Sequence, residues 1–370
     1  MKIVLTVTND LHQDQRMDRI CTTLAGAGHD VTLVGRLRPS STDLPAKRYA
    51  QHRIPCRYEY GKAFYVEYNW RLWRTLRGWD IDVLCSVDLD TLTAGVLLKR
   101  THGCRLVFDA HEWFSETPEV VHRPAIRAFW RRLGKTLVPR ADLCYTVAPQ
   151  LAGRLAEEYG VPFGVVRSLP SASPLAPASE PEKWPDTGRK IILYQGMLNP
   201  GRGLETAIRS LQHLPECELW LAGDGPELGA LRRCREDGKE AKVKFLGFVP
   251  PADLPNLTRR AWLGLNLLKA TAPSYYYSLA NKALDYLRAG IPSVQMDFPE
   301  YAAINAEFGC YVLLPELDEL NLAQQIRKLL EEENRYEDLR AGAVRAGRAL
   351  TWEREAPVLL KLWEHVLKRG

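Results

Sequence analysis

The chain has 370 residues, 50 Lys and Arg against 45 Asp and Glu for a formal net charge of +5, and 46% hydrophobic residues. That length is about twice an ordinary domain, and the composition excludes a disordered or fibrous chain in favour of a globular one with ample core. The charge is uneven: residues 1–170 carry 24 basic against 18 acidic side chains and residues 171–370 carry 26 against 27, so the first half is the one expected to face something negative.

The eight cysteines include no CxxC pair, and several lie in apolar runs such as Val83-Leu84-Cys85. They read as buried thiols of a reducing compartment, not as a disulfide framework or zinc site. The run Ile3–Val7 is too short for a signal peptide, and no apolar run approaches a bilayer-spanning length, so a cytoplasmic protein is expected.

Along the chain, short apolar runs alternate with helical patterns. The runs of the first half are Ile3–Val7, Val31–Val34, Val83–Val87, Leu106–Phe108, Leu143–Val147 and Val165–Leu169, separated by Arg16–Ala27, Thr91–Lys99, Ala125–Val138 and Gln150–Tyr159. The second half repeats the plan with Ile191–Tyr194, Leu219–Ala222, Val243–Phe248, Leu263–Leu268, Ser293–Met296 and Tyr311–Leu314. This alternation predicts an α/β protein of two doubly wound parallel sheets. The Pro- and Ser-rich stretch between them sustains neither helix nor interior strand. The expected organisation is a first domain over 1–169, a linker over 170–189, a second domain over 190–350 and a closing helix over 351–370. The helix from Trp352 can dock on its own domain or on the first. Ligands of open α/β sheets bind beyond the carboxyl ends of the strands, so two facing domains would enclose one interdomain cleft.

The loops after the strands hold the candidate chemistry. Asn9-Asp10-Leu11-His12-Gln13-Asp14-Gln15-Arg16 is rich in hydrogen-bonding groups. Asp109-Ala110-His111-Glu112 follows a strand, where a His beside a Glu can bind a sugar hydroxyl or move a proton; a His bonded to structure is the alternative. Residues His122–Arg140 carry Arg123, Arg127, Arg131, Arg132, Lys135 and Arg140 with no acid, and Ile126, Phe129, Trp130, Leu133 and Leu137 as the apolar side. Such a stripe is either core beside a solvated face or a surface attracted to anionic headgroups, with Trp70-Arg71-Leu72-Trp73-Arg74 reinforcing it.

In the second half, Gln195-Gly196 through Gly201-Arg202-Gly203 permits close backbone approach, and Arg202 can fork onto phosphate oxygens or be a plain loop residue. Ala222-Gly223-Asp224-Gly225 lacks the ribose acid of a dinucleotide fingerprint and reads as a tight strand-to-helix turn. Phe248-Val249-Pro250 offers an apolar wall and backbone groups to a base. Ser278 is read as the N-cap of a helix whose free amides hold a diphosphate, with Leu279, Ala283, Leu284 and Leu287 inward and Asp285 off the stripe where it reaches a ribose. An ordinary surface helix with a solvated Asp is the alternative. Gly290 and Pro292 end the helix.

Taken together, Asp14-Gln15-Arg16-Met17, Gly28-His29-Asp30-Val31 through Gly35-Arg36, Asp109-Ala110-His111-Glu112, Tyr194-Gln195-Gly196 with Gly201-Arg202-Gly203-Leu204, and Asn281-Lys282 through Asp285 to Ala289-Gly290-Ile291-Pro292 resemble glycosyltransferase family 4, of GT-B architecture. The resemblance implies two facing Rossmann-like domains and transfer of a sugar from a UDP- or GDP-sugar, with retention, to a cell-surface glycan, lipid-linked or small-molecule acceptor. It implies Arg202 as the diphosphate ligand, Asp285 on the ribose and His111 close to the donor sugar, with Arg202 and His111 catalytic. Gly196, Phe248, Val249, Tyr277, Ser278, Leu279, Ala280, Asn281 and Lys282 would complete the nucleotide site, and Asp10, Asp14, Arg16 and Glu112 would lie on the acceptor side. No metal and no cofactor beyond the donor is expected, nor any nucleic acid, and peripheral contact with the inner face of an anionic membrane is.

The family commonly has Glu, seven residues, then Glu; here Tyr277 and Asp285 hold those positions. Asn9-Asp10 replaces a usual Gly-Gly, and Met197 a usual basic residue. A sugar-nucleotide epimerase and a non-catalytic GT-B binding subunit are the alternatives, and a dehydrogenase is the least favoured.

Overall fold

The computed structural model describes residues 1–12, 14–172, 184, 187–237 and 242–368. It separates into two units, Met1–Ser168 with the stretch from Arg354 onward, and Leu169–Glu353.

The first unit holds a seven-stranded sheet in the order β3-β2-β1-β4-β5-β6-β7, parallel throughout. Its strands are β1 (Lys2–Thr6), β2 (Asp30–Leu37), β3 (Ala50–Pro55), β4 (Val83–Val87), β5 (Arg105–Ala110), β6 (Leu143–Thr146) and β7 (Gly164–Val165). Every residue of β4 is buried, as expected of a central parallel strand covered on both faces. Helices Gln15–Gly26, Gly61–Leu76, Asp88–His102, Pro124–Leu137 and Pro149–Tyr159 supply crossovers. The chain winds outward from β1 to β3 and then returns to β4, which puts the topological switch point between the carboxyl ends of β1 and β4.

Helix Trp352–Leu367 is grouped with this unit from Arg354 on. The buried Glu355 carboxylate accepts the Arg167 backbone N–H at 2.8 Å and its Nη2 at 2.9 Å. A Cβ at Gly164 would lie 2.8 Å from the Leu362 side chain, so the helix rests directly on strand backbone.

The second unit is a six-stranded parallel sheet in the order β10-β9-β8-β11-β12-β13. The strands are β8 (Lys190–Gln195), β9 (Cys217–Ala222), β10 (Val243–Gly247), β11 (Leu263–Asn266), β12 (Ser293–Met296) and β13 (Tyr311–Leu314). Its switch point falls between β8 and β11. Tyr286 fixes helix Asn281–Ala289 there: its ring occupies the place a Cβ of Gly264 would take, and its hydroxyl donates to Leu193 O at 3.0 Å.

The sequence pattern does not announce β3 or helix Gly61–Leu76, and of the expected run Val165–Leu169 only Val165 lies in a strand, the two-residue β7. Within the expected linker, 173–183 and 185–186 lie outside the described residues. Among the described residues no helix is long and apolar enough to cross a membrane.

Candidate active site

In the second unit, the loop leaving β8 is shaped by glycines. Gly196 has φ +126°, and a Cβ on Gly223, at φ +149°, would fall 2.0 Å from Gly196 O. The loop after β9 is therefore packed backbone to backbone under the loop after β8, consistent with its reading as a tight strand-to-helix turn. Gly203, at φ +69°, forms the N-cap of helix Leu204–Ser210.

Arg202 projects from this loop with its guanidinium 4.7 Å from the Tyr275 ring centroid. Its Nε is buried and finds no hydrogen-bond partner among the described residues. Lys282, only 8% exposed, places Nζ 4.1 Å from the Tyr194 ring centroid. A Cβ on Gly196 would stand 3.5 Å from that Nζ. Burial, and next the nearby Arg202, push the Lys282 ammonium well below the usual lysine range, with Asp285 opposing. Among the described residues neither cation forms an ion pair. Asp285, partly buried, accepts from Gln195 Nε2 at 3.0 Å, and Gln195 Oε1 in turn accepts from Thr258 Oγ1 at 2.7 Å. Cations, carboxylate and open-backbone loop thus meet beyond the carboxyl ends of the central strands β8 and β11.

Ser278 does not cap the helix. The helix runs Asn281–Ala289 with Ala280 as N-cap, because Pro273–Tyr276 forms a short helix of its own and Ser278 Oγ donates back to Tyr275 O at 2.8 Å. Leu279 precedes the helix and packs on the core, and the Ala280 amide donates to the Tyr301 hydroxyl at 3.1 Å, so it is not free for an anion. Asn281 is exposed, and Tyr277 sits with its ring 5.0 Å from that of Tyr276. Phe248 is exposed, whereas the Val249 side chain is buried in a cluster with Trp220, Leu257 and Tyr286; only Phe248 offers a side-chain wall.

In the first unit, the carboxyl ends of β1, β4 and β5 gather a charged cluster. Arg16 is buried, donating to Asp109 Oδ1 and to Val166 O, each at 2.9 Å. It shares the inward face of its helix with Met17, Ile20, Cys21 and Leu24, so its guanidinium is held inside the unit. Asp14 is likewise occupied: its carboxylate caps that helix at Met17 N, 3.0 Å, and accepts from Asn9 Nδ2 at 2.7 Å. Asp10 accepts from Ser41 Oγ at 3.2 Å and Glu112 is exposed.

His111 lies between two carboxylates. Its Nε2 is 3.3 Å from Asp109 Oδ2 and its Nδ1 is 3.9 Å from Asp88 Oδ2, while its backbone N–H donates to Asp88 Oδ1 at 2.8 Å. Burial disfavours charge on the ring, but Asp109 and then Asp88 overcome it and raise the imidazole to about 9. Burial works against charge on Asp109 too, yet Arg16 and then His111 hold that carboxyl down at about 2. The ring is therefore an imidazolium at neutral pH.

Asp88 and Asp90 are the residues that sequence reasoning missed. Asp88 directly follows β4, at the start of helix Asp88–His102, with φ +58°, an uncommon conformation for a residue with a Cβ, and Asp90 accepts from Thr8 Oγ1 at 2.7 Å. Burial, then Asp88, push the Asp90 carboxyl up to about 7. The available signal was an acid directly following the strand-like run Val83–Val87 at a switch point. Among the described residues no group of three or more His, Cys, Asp or Glu is arranged to hold a metal.

The sequence matches the family described as Glycosyltransferase Family 4 over residues 14–172 and the one described as Glycosyl transferases group 1 over residues 178–345. It is 23% identical over 353 residues to a glycogen synthase of Mycobacterium tuberculosis, covering 86% of this chain and 82% of that protein. The fold is similar to that of sucrose-phosphate synthase from Thermosynechococcus elongatus, with a TM-score of 0.83 at 17% identity over 99% of each chain. It is also similar to Anabaena HepE crystallised with UDP-glucose, with a TM-score of 0.77 at 15% identity over 98% of this chain and 99% of that one. With both matches standing in order along a chain of two parallel-sheet Rossmann-like units, the protein belongs to the family 4 glycosyltransferases of GT-B fold.

Proposed function

We propose that the chain moves a sugar, with retention, from a UDP- or GDP-sugar to a glycan, lipid-linked or small-molecule acceptor. The observation that carries this reading is the pair of neighbouring cations Arg202 and Lys282, Lys282 beside Gly196, with neither in an ion pair among the described residues. Two converging cations suit a diphosphate, and Asp285, fixed by Gln195, suits the ribose hydroxyls. Lys282 stands in for the basic side chain that Met197 does not provide.

In the proposed step the bond from the anomeric carbon to the diphosphate breaks, the bond to the acceptor oxygen forms on the same face, and the acceptor proton passes to the departing phosphate. Arg202 and Lys282 stabilise the charge that develops on the leaving group. His111, as an imidazolium, donates to a sugar oxygen. UDP-glucose bound to the similar HepE supports a uridine nucleotide as the first donor to try.

The exposed Phe129 and Trp70, with the exposed basic side chains Arg123, Arg132 and Lys135, support peripheral contact with an anionic membrane. Arg127 and Arg131 do not contribute, being paired with Glu116 and Glu158. Binding to anionic vesicles at low salt tests this contact.

Arg202→Ala is the direct test of the transfer reading. Nucleotide release from the donor should fall by about two orders of magnitude or more with the circular dichroism spectrum unchanged. Near-normal release would refute the assignment. Tyr277 in place of an acid favours, as second reading, a subunit that binds nucleotide without turnover; a thermal-shift response to UDP or GDP with no release on any acceptor would select it.

A further inference from the structure

Asp88 has no role in the reading above, yet it occupies the switch point of the first sheet and faces His111 on two sides. Nε2 of the ring is committed to Asp109 at 3.3 Å, so Nδ1 is the nitrogen left for a ligand. Nδ1 and Asp88 Oδ2 stand 3.9 Å apart, too far for a hydrogen bond, on side chains 24% and 19% exposed. An oxygen about 2.8 Å from each atom fits across that gap. A hydroxyl is the group suited to it, because it can accept from the Nδ1–H and donate to the carboxylate at once.

We propose that Asp88 is a substrate-binding residue that, with His111, holds one hydroxyl of the sugar being transferred or of the sugar receiving it. The proposal rests on the transfer reading in that it needs a sugar at His111. Asp88 accepts the His111 backbone N–H at 2.8 Å through Oδ1, which sets the ring's position, and Oδ2 remains for the ligand. Asp88 has φ +58°, and from that position its carboxylate reaches His111, the residue after β5.

Asp88→Asn and Asp88→Gly separate this role from a structural one. Asn keeps an oxygen for the His111 amide and tolerates the backbone conformation, and Gly relieves that conformation altogether. Donor turnover by the full chain is followed as nucleotide release from UDP-glucose, GDP-mannose and ADP-glucose, whichever the unaltered protein uses. Both variants should lose about tenfold or more in kcat/KM, while UDP or GDP affinity stays within about twofold because the proposed nucleotide contacts lie in the other unit. Turnover within about twofold of the unaltered protein overturns the inference.

A second measurement decides the matter if no donor is turned over, an outcome that defeats the transfer reading alone. The His111 ring nitrogens are observed by NMR, with assignment from His111→Gln, while glucose is added. Glucose should shift the Nδ1–H signal of the unaltered protein and not that of Asp88→Asn, and an unmoved signal in the unaltered protein overturns the inference. Asp109 contacts the ring, and Asp90, Glu112 and Arg16 are the other charged groups that act on it; all four are unchanged in the variant, so they act equally on both spectra.

Discussion

Arg16 and Asp109, 93 positions apart in the chain, meet at 2.9 Å with both side chains buried. The pair is the base on which the His111 imidazolium rests, since Asp109 Oδ1 takes the guanidinium and Oδ2 faces the ring. Removing one partner of such a pair leaves an uncompensated buried charge.

Arg16→Met should therefore cost about 3–5 kcal/mol in the stability of the first unit. Arg16→Lys should cost less, because a cation remains, though without the fork that also reaches Val166 O at 2.9 Å. Urea midpoints of the two variants check this, and a Met variant as stable as the Lys variant would contradict it.

The same pair predicts a pH dependence. A histidine raised to about 9 in the folded chain contributes stability that is complete below its ordinary value and is lost as pH climbs through the folded one. Asp109, held down at about 2, contributes in the opposite sense: its share is present above the ordinary carboxylate value and disappears as pH falls toward 2. The melting temperature should then decline from about pH 6.5 to pH 9, and His111→Gln should flatten that decline. An unaltered slope in the variant would assign the dependence elsewhere.

Two interior strands were legible as short runs rich in apolar residues between helical patterns: Val83–Val87 and Ser293–Met296 agree with β4 and β12 residue for residue. The edge strand β3 was not, since Gln51, His52 and Arg53 are only partly buried and its pattern is polar. Helix Gly61–Leu76 was obscured by Val66 and Trp70, apolar residues on its exposed side. In the site, Gly196, Arg202, His111 and Asp285 were legible from their places after strands or within a glycine-terminated helix. Arg16 and Asp14 were misread because their partners, Asp109 and the turn at Met17, appear only once the chain is folded. Asp88 was missed because an acid at the start of a helix is ordinary, and nothing local reveals its contact with His111.

Gly223 gives a sharp test of the loop architecture. Ala at φ +149° is strained by itself, and its Cβ would meet the Gly196 carbonyl oxygen, so the loop after β8 has to move. Gly223→Ala should weaken UDP or GDP binding by about tenfold or more and cost more than about 1 kcal/mol in stability. Gly188→Ala, where a Cβ meets nothing within 4 Å although φ is +68°, controls for backbone strain alone. Equal nucleotide affinity in both variants would show that the close approach of the two loops does not matter to the site.

The electrostatic state of Lys282 predicts proton uptake on ligand binding. Burial first, and Arg202 next, depress its ammonium, so the free protein holds this proton less tightly than an exposed lysine does. A diphosphate near Nζ, itself 4.1 Å from the Tyr194 ring centroid, favours the charged form and draws a proton from solvent. Calorimetric titration of UDP or GDP in buffers of different ionisation enthalpy should show net proton uptake on binding. Lys282→Met should abolish the uptake and weaken binding, whereas Arg202→Ala should weaken binding and reduce the uptake, because the neighbour that helps depress the ammonium is gone. Uptake that persists unchanged in Lys282→Met would place the titrating group elsewhere and remove Lys282 from the diphosphate.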